Sequence, residues 1–176
     1  MNHDDYTDDY IREILREVRR IAIVGASANQ VRPSFFVTKY LIAKGYEVFP
    51  VNPGVAPGEI AGRTTYANLA DVPAQVDMVD VFRSQEFAPA IVEEAIQIGA
   101  KVIWMQLGVR NDEAAARAES AGLKVVMNRC PKIEYGRLCG EIGWQGVNSG
   151  QISARRPKRA AGFQHLTIGT KPEFPR

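Results

Sequence analysis

The chain has 176 residues, 45% of them hydrophobic and 24% charged, with a formal net charge of +2. That length supports one domain with a sizeable core, and no apolar run approaches the ~20 residues a membrane span needs. Six basic residues against Glu173 from Gln151 onward leave +5 there and −3 over the preceding 150 residues, so the body carries no charge signature for nucleic acid.

The opening MNHDDYTDDY is acidic and lacks an apolar stretch, so a secretory signal is not expected. Cys130 and Cys139 alone make no disulfide framework and no four-ligand metal set, which points to a reducing, cytoplasmic setting. Asp8 or Asp9 is a candidate cap for a first helix. Ile11, Ile14, Leu15 and Val18 then recur on one helical face. Residues 1–19 read as an N-terminal helical extension packed on the body.

Ile21 to Val24 is a charge-free run of the kind buried on both faces of a parallel sheet. Gly25, Ala26 and Ser27 turn the chain, and Pro33 and Ser34 open a helix, where a missing amide donor does no harm. Phe36, Val37, Tyr40 and Leu41 form its stripe, and Gly45 ends it. Glu47 to Val51 is a second strand, stopped at Asn52-Pro53-Gly54. A long excursion follows, with a short strand near Thr64 to Tyr66. Val76 to Phe82 is a third strand, and Asp77 and Asp80 argue against its full burial. Ile91, Ala95 and Ile98 share the next helical face, which starts at a Ser84 cap or at Pro89 and stops at Gly99. Lys101 to Met105 is a fourth strand. Asn111 caps a helix with an Ala114, Ala118 and Ala121 face, Gly122 ends it, and Lys124 to Met127 is a fifth strand.

This alternation predicts an α/β, doubly wound, Rossmann-like parallel sheet of five strands, in the order 3-2-1-4-5, over residues 20–138. Residues 139–176 form an extension, first glycine-rich and then basic. In it, Ile142 and Trp144 are expected to pack back on the body. Residues 154–160, ARRPKRA, read as a solvated tail, with a weak phosphate, nucleic-acid or membrane-surface contact as the rival.

Ligands of such sheets sit beyond the carboxyl ends of the strands, here where the first and fourth strands diverge. The strand-end stretches are Gly25-Ala26-Ser27, Asn52-Pro53, Phe82-Arg83-Ser84, Gln106-Leu107-Gly108 and Asn128-Arg129-Cys130-Pro131. None contains a carboxylate. This suits an anionic ligand held by backbone and neutral donors, and suits a metal poorly. A nicotinamide site should show G-x-G-x-x-G and an acid closing the second strand. The turn has one glycine, and the second strand ends Val51-Asn52-Pro53.

Five segments, VGASANQVRPS, KYLIAKGYEVFPVNP, VDMVDVFRS, VIWMQLGV and GLKVVMNRCPKIE, run in order from about Ile21 to Glu134. Together they resemble the small CoA-binding proteins that share the N-terminal CoA-binding domain of the succinyl-CoA synthetase α subunit. The resemblance implies a Rossmann-like fold and coenzyme A or an acyl-CoA as ligand, but no particular reaction. Carried over by position, it sets Gly25, Ala26 and Ser27 against the pyrophosphate, with Arg32 as a second contact. Asn52 and Pro53 would flank the nucleotide end, and Phe82 and Arg83 the adenosine or pantetheine portion. Gln106 and Gly108 would line the far side, with Asn128, Arg129 and Cys130 nearby.

Each assignment has a plainer rival. Gly25 and Ala26 could serve tight strand–helix packing, and Arg32 and Arg83 could be solvated. Asn52 could hold a turn, Gln106 could satisfy buried backbone, and Cys130 could be a small buried filler. The alternative for Cys130 is a mixed disulfide with CoA under oxidation. The phosphoryl-carrying histidine of related synthetases belongs to a second domain, and here the histidines are His3 and His165, in the terminal extensions. No P-loop or nucleophile elbow is present, and no catalytic residue is assigned. The leading reading is a CoA-binding module without its own catalysis. The alternatives are an NAD(P)-dependent oxidoreductase-type protein and an accessory subunit of an acyl-CoA synthetase. A homo-oligomer or a synthetase chain are the partners left open.

Overall fold

The computed structural model describes residues 1–141 and Ile168. In chain order the elements are α1 (Asp8–Glu17), β1 (Arg20–Val24), α2 (Pro33–Ala43), β2 (Glu47–Val51), β3 (Gly58–Ile60), β4 (Arg63–Thr65), β5 (Met78–Val81), α3 (Ala88–Gln97), β6 (Val102–Met105), α4 (Asp112–Ser120), β7 (Lys124–Val126) and α5 (Pro131–Leu138). Five parallel strands form one sheet in the order β2-β1-β5-β6-β7, and β3 and β4 form a separate antiparallel hairpin.

The doubly wound α/β sheet matches the expectation, but its order differs in one place. The third parallel strand, β5, lies beside β1, where the sequence reading set it beyond β2. Pro50 supplies part of the reason. Its carbonyl faces away from β1 and accepts from Tyr66 N at 2.9 Å, so its ring nitrogen faces the same outer side, where a missing donor breaks no ladder. The excursion after β2 then occupies that edge, with Asn52 N donating to Tyr66 O at 2.8 Å. With this side of β2 taken, β5 pairs on the free side of β1. The order among the parallel strands becomes 2-1-3-4-5, and the switch point falls between β1 and β5 instead of between the first and fourth strands.

Strand alternation divides the core. Ile21, Ile23, Met78, Trp104 and Val126 face α1, α2 and α5, while Ala22, Val79, Val81, Ile103 and Met105 face α3 and α4. β5 and β6 are buried along their whole length. The two acids did not prevent this, for different reasons. Asp77 precedes β5 and accepts from Arg19 N, Arg20 N and Lys101 Nζ; burial works to raise its pKa, but Lys101 and the two amides hold it below the usual range. Asp80 lies inside β5 and keeps one polar partner, described below.

Local chemistry sets the helix ends. Thr7, not Asp8 or Asp9, caps α1 by accepting from Tyr10 N, and the two acids fall in its first turn. Asn111 caps α4 through Ala114 N at 2.9 Å. Ser84 bonds Glu86 instead of capping, and α3 begins at Ala88 with Pro89 in its first turn. On α2, Val37 and Leu41 are buried, but Phe36 turns outward.

The free edge of β7 is covered by two tyrosines that precede or open α1. Tyr10 Oη donates to Val125 O and accepts from Val125 N, each at 3.1 Å, and Tyr6 Oη accepts from Met127 N at 2.8 Å. This occupies the groups through which another strand would add. The expected packing of Ile142 and Trp144 and the basic run 154–160 lie outside the described residues. Ile168 is buried, its N donating to Tyr135 Oη and its O accepting from Arg16. Among the described residues no helix is long and apolar enough to cross a membrane.

Tyr10→Phe removes both bonds to Val125 while keeping the ring. It is expected to lower the unfolding free energy by about 1 kcal/mol, read by urea denaturation with an unchanged slope.

Candidate functional site

Gly25 follows β1 at the switch point. Its N–H bonds Val51 O at 2.9 Å, and its φ is +85°, a conformation L side chains rarely adopt. A Cβ there would lie 3.1 Å from Arg83 Cδ and 3.2 Å from the carbonyl carbon of Phe82. Glycine therefore lets the ends of β1 and β5 close on each other. Ala26 is buried, and its carbonyl accepts from Asn52 Nδ2 at 2.7 Å, while Asn52 Oδ1 accepts from Gly54 N at 2.9 Å. Asn52 is thus a tie between two strand-end loops. Ser27 Oγ accepts from Asn29 N, and Asn29 accepts from Val31 N and Arg32 N, so the loop's own polar groups fold it toward the start of α2.

A crevice of about 460 Å³ opens beside this turn, between the N-terminal ends of α2 and α5 and the carboxyl ends of β5 and β6. Phe82, Gln106 and Cys130, all expected at the site, line it together. Its rim also holds Val31, Phe36, Leu107 and Ile133, which are 76%, 51%, 56% and 38% exposed. Among the described residues these four are most of the exposed large apolar side chains, and they gather on one opening, as apolar residues do at binding surfaces. Lys132 is the charged residue on the lining, which carries no carboxylate.

Both helices that open onto the crevice start with proline after an N-cap, Arg32 or Cys130, whose side chain makes no capping bond. α1 and α4 have Thr7 and Asn111 as caps, while α3, away from the crevice, also starts with a proline and no side-chain cap. On α2 the Phe35 amide already donates to Arg32 O, which leaves Ser34 N, and on α5 Lys132 N and Ile133 N beside the Cys130 thiol, for another acceptor at the positive ends of two dipoles.

The other expected residues do not line the crevice. Gly25, Ala26 and Ser27 form the turn beside Phe82. Arg32 and Arg83 are exposed, and the Arg83 guanidinium lies over the Phe87 ring at 4.4 Å. Pro53 is exposed just past the end of β2. Gly108 N donates to Asn128 Oδ1 at 2.9 Å, which ties those two loops together. The sequence reading missed Val31, Phe36, Leu107, Lys132 and Ile133. Leu107 sat between two named residues, Val31 in a polar loop, and Phe36 at the spacing of a core stripe; periodicity cannot show which edge of a stripe opens on a crevice.

Beneath the lining lies a buried polar pair. Gln106 Nε2 donates to both oxygens of Asp80, at 3.0 and 3.1 Å, and Asp80 has no exposed surface. Burial pushes the Asp80 carboxyl up to about 8, against the pull of the Gln106 bond. Cys130 is 7% exposed, and burial raises its thiol above the ordinary value, which makes it a poor nucleophile at neutral pH. Among the described residues no three acids, histidines or cysteines gather to hold a metal ion.

Fold and crevice together define a Rossmann-like domain with an open crevice at the switch point. The family described as CoA binding domain matches residues 19–136, and the chain belongs to that family. The protein YneT of Bacillus subtilis, described as uncharacterized, is 37% identical over 125 residues, which is 71% of this chain and 91% of that one. A solved hypothetical protein from Pyrococcus horikoshii superposes with a TM-score of 0.73 at 43% identity, covering 76% of this chain and 93% of its own. The α subunit of the ADP-forming acetate–CoA ligase I of Pyrococcus furiosus is 35% identical over 95 residues, 52% of this chain but only 21% of that subunit.

Gly25→Ala is expected to cost about 1–3 kcal/mol of fold stability, because both its φ and its space are wrong for a Cβ. Phe36→Ser, at an exposed position, should stay within about 0.5 kcal/mol. Denaturation of the two variants side by side checks this.

Proposed function

We propose that this chain binds coenzyme A or a short acyl-CoA in the crevice, as a binding module without catalytic machinery of its own. The observation that carries the reading is the pair of uncapped helix starts beside an apolar, carboxylate-free opening, in a chain of the CoA binding domain family. The pyrophosphate rests against the Gly25–Ser27 turn and the first turn of α2, with Arg32 supplying an exposed guanidinium. The pantetheine arm runs along Phe82, Phe36 and Leu107 toward Gln106 and Cys130. Arg83 and Lys132 balance charge at the rim. Asn52, Gly108 and Asn128 act by holding the loops, and Pro53 flanks the nucleotide end. The setting is cytoplasmic.

A second reading rests on the likeness to the acetate–CoA ligase α subunit. In it the chain supplies a CoA site to a separate synthetase chain. An NAD(P) role has less support, since β2 ends without the acid that would hold a ribose and Asn52 is committed to Ala26 and Gly54.

Calorimetric titration of the full chain with CoA, acetyl-CoA, NAD and NADP tests these readings. CoA and acetyl-CoA should bind, and the two dinucleotides should not. Arg32→Ala should weaken CoA binding about tenfold, the scale of one charge-assisted bond, without moving the thermal midpoint measured in the absence of ligand. Binding of NAD in preference to CoA would overturn the proposal.

A further inference from the structure

The Asp80–Gln106 pair is more than filling. A carboxyl inside a fully buried strand carries a large desolvation cost, which a valine at that position would avoid. Its neighbours on the paired strands are Ile23 and Trp104, neither of them charged. Cys130, at the start of α5, is the titratable group that senses its charge, and Lys132 lines the crevice beside it.

Gln106 has one end committed and one end open. Its Nε2 serves Asp80, whereas its Oε1 accepts from none of the described residues. Among the described residues the buried side-chain atom left without a partner is Thr65 Oγ1, so Gln106 Oε1 is not sealed in the core. The open space that Gln106 meets is the crevice.

We propose that Asp80 is a positioning residue: by holding Gln106 Nε2 it turns Gln106 Oε1 into the crevice as the acceptor for an amide N–H of the bound ligand. This rests on the acyl-CoA reading above, since the pantetheine arm carries such amides. Ionised, Asp80 has only acceptor oxygens and so must face the Gln106 nitrogen. Protonated, it gains an O–H, and acid and amide close into a two-bond ring that withdraws Oε1 from the crevice. A carboxyl raised to about 8 makes this exchange near neutral pH. The ligand favours the ionised form, so its binding releases a proton and its affinity rises with pH.

Asp80→Asn tests this directly. An asparagine amide donates to Oε1 and accepts from Nε2, and so imitates the protonated acid at every pH. The full chain is titrated with acetyl-CoA, which has no free thiol to ionise, between about pH 7 and about pH 9.5. The native protein should gain about tenfold in affinity across that range, the scale of one hydrogen bond. Asp80→Asn should bind at the weak limit throughout with no slope. Gln106→Leu carries the same expectation, so a folding failure in one variant leaves the other as the test. A slope that survives in Asp80→Asn or Gln106→Leu belongs to Cys130, Lys132 or the ligand and overturns the proposal. A native protein that binds tightly with a flat profile overturns it too, while leaving the acyl-CoA reading intact. A native protein that does not bind at any pH removes that reading itself.

Discussion

The parallel pairing of β1 with β5 decides where the rest of the molecule lies. It exists because the far side of β2 is closed, by a proline that faces outward and by the chain from Asn52 to Tyr66 lying along that edge. Once β5 is beside β1, successive crossovers leave the sheet on opposite faces, α2 on one and α3 on the other. A gap at their divergence is then unavoidable, because no helix covers both faces at that point. Gly25 lets the two strand ends approach there, with the side chain of Arg83 in the space a Cβ would need.

Side chains close the starts of α1 and α4, through Thr7 and Asn111, whereas α2, α3 and α5 each start with a proline and no side-chain cap; of these three, α2 and α5 start on the crevice. A helix start without a cap forgoes about 1 kcal/mol, a local loss that a bound anion can offset. The apolar rim has the same character. Val31, Phe36, Leu107 and Ile133 are exposed where burial would stabilise the fold. Departures from local optimum that gather at one place are the usual mark of a binding site, as is the carboxyl set beneath it in Asp80.

The edges of the molecule are treated in the opposite way. Tyr6 and Tyr10 satisfy the free groups of β7, and the excursion after β2 occupies the other outer strand. The N-terminal extension therefore does structural work on the sheet itself, beyond packing its apolar face on the body, and the sheet presents the crevice rather than its edges to other molecules.

Much was legible in the order of residues alone. The apolar runs named the five parallel strands, the Gly25 turn and Pro33 marked the first helix start, Asn111 marked a cap, and five separated segments pointed to the CoA-binding family that residues 19–136 belong to. These are local properties, set by side-chain size, periodicity and turn chemistry within a few residues. Strand order, the apolar rim and the partner of Asp80 arise from contacts between residues far apart in the chain. Pro50 held a hint of the order, but only the hydrogen bonds of its outer side reveal what that edge meets. Phe36 fits a core stripe and Asp80 an interrupted strand until pairing puts one at the mouth of the crevice and the other beneath its lining. Those positions were decided in three dimensions, because burial and hydrogen-bond partnership belong to the assembled sheet and not to any one segment of it.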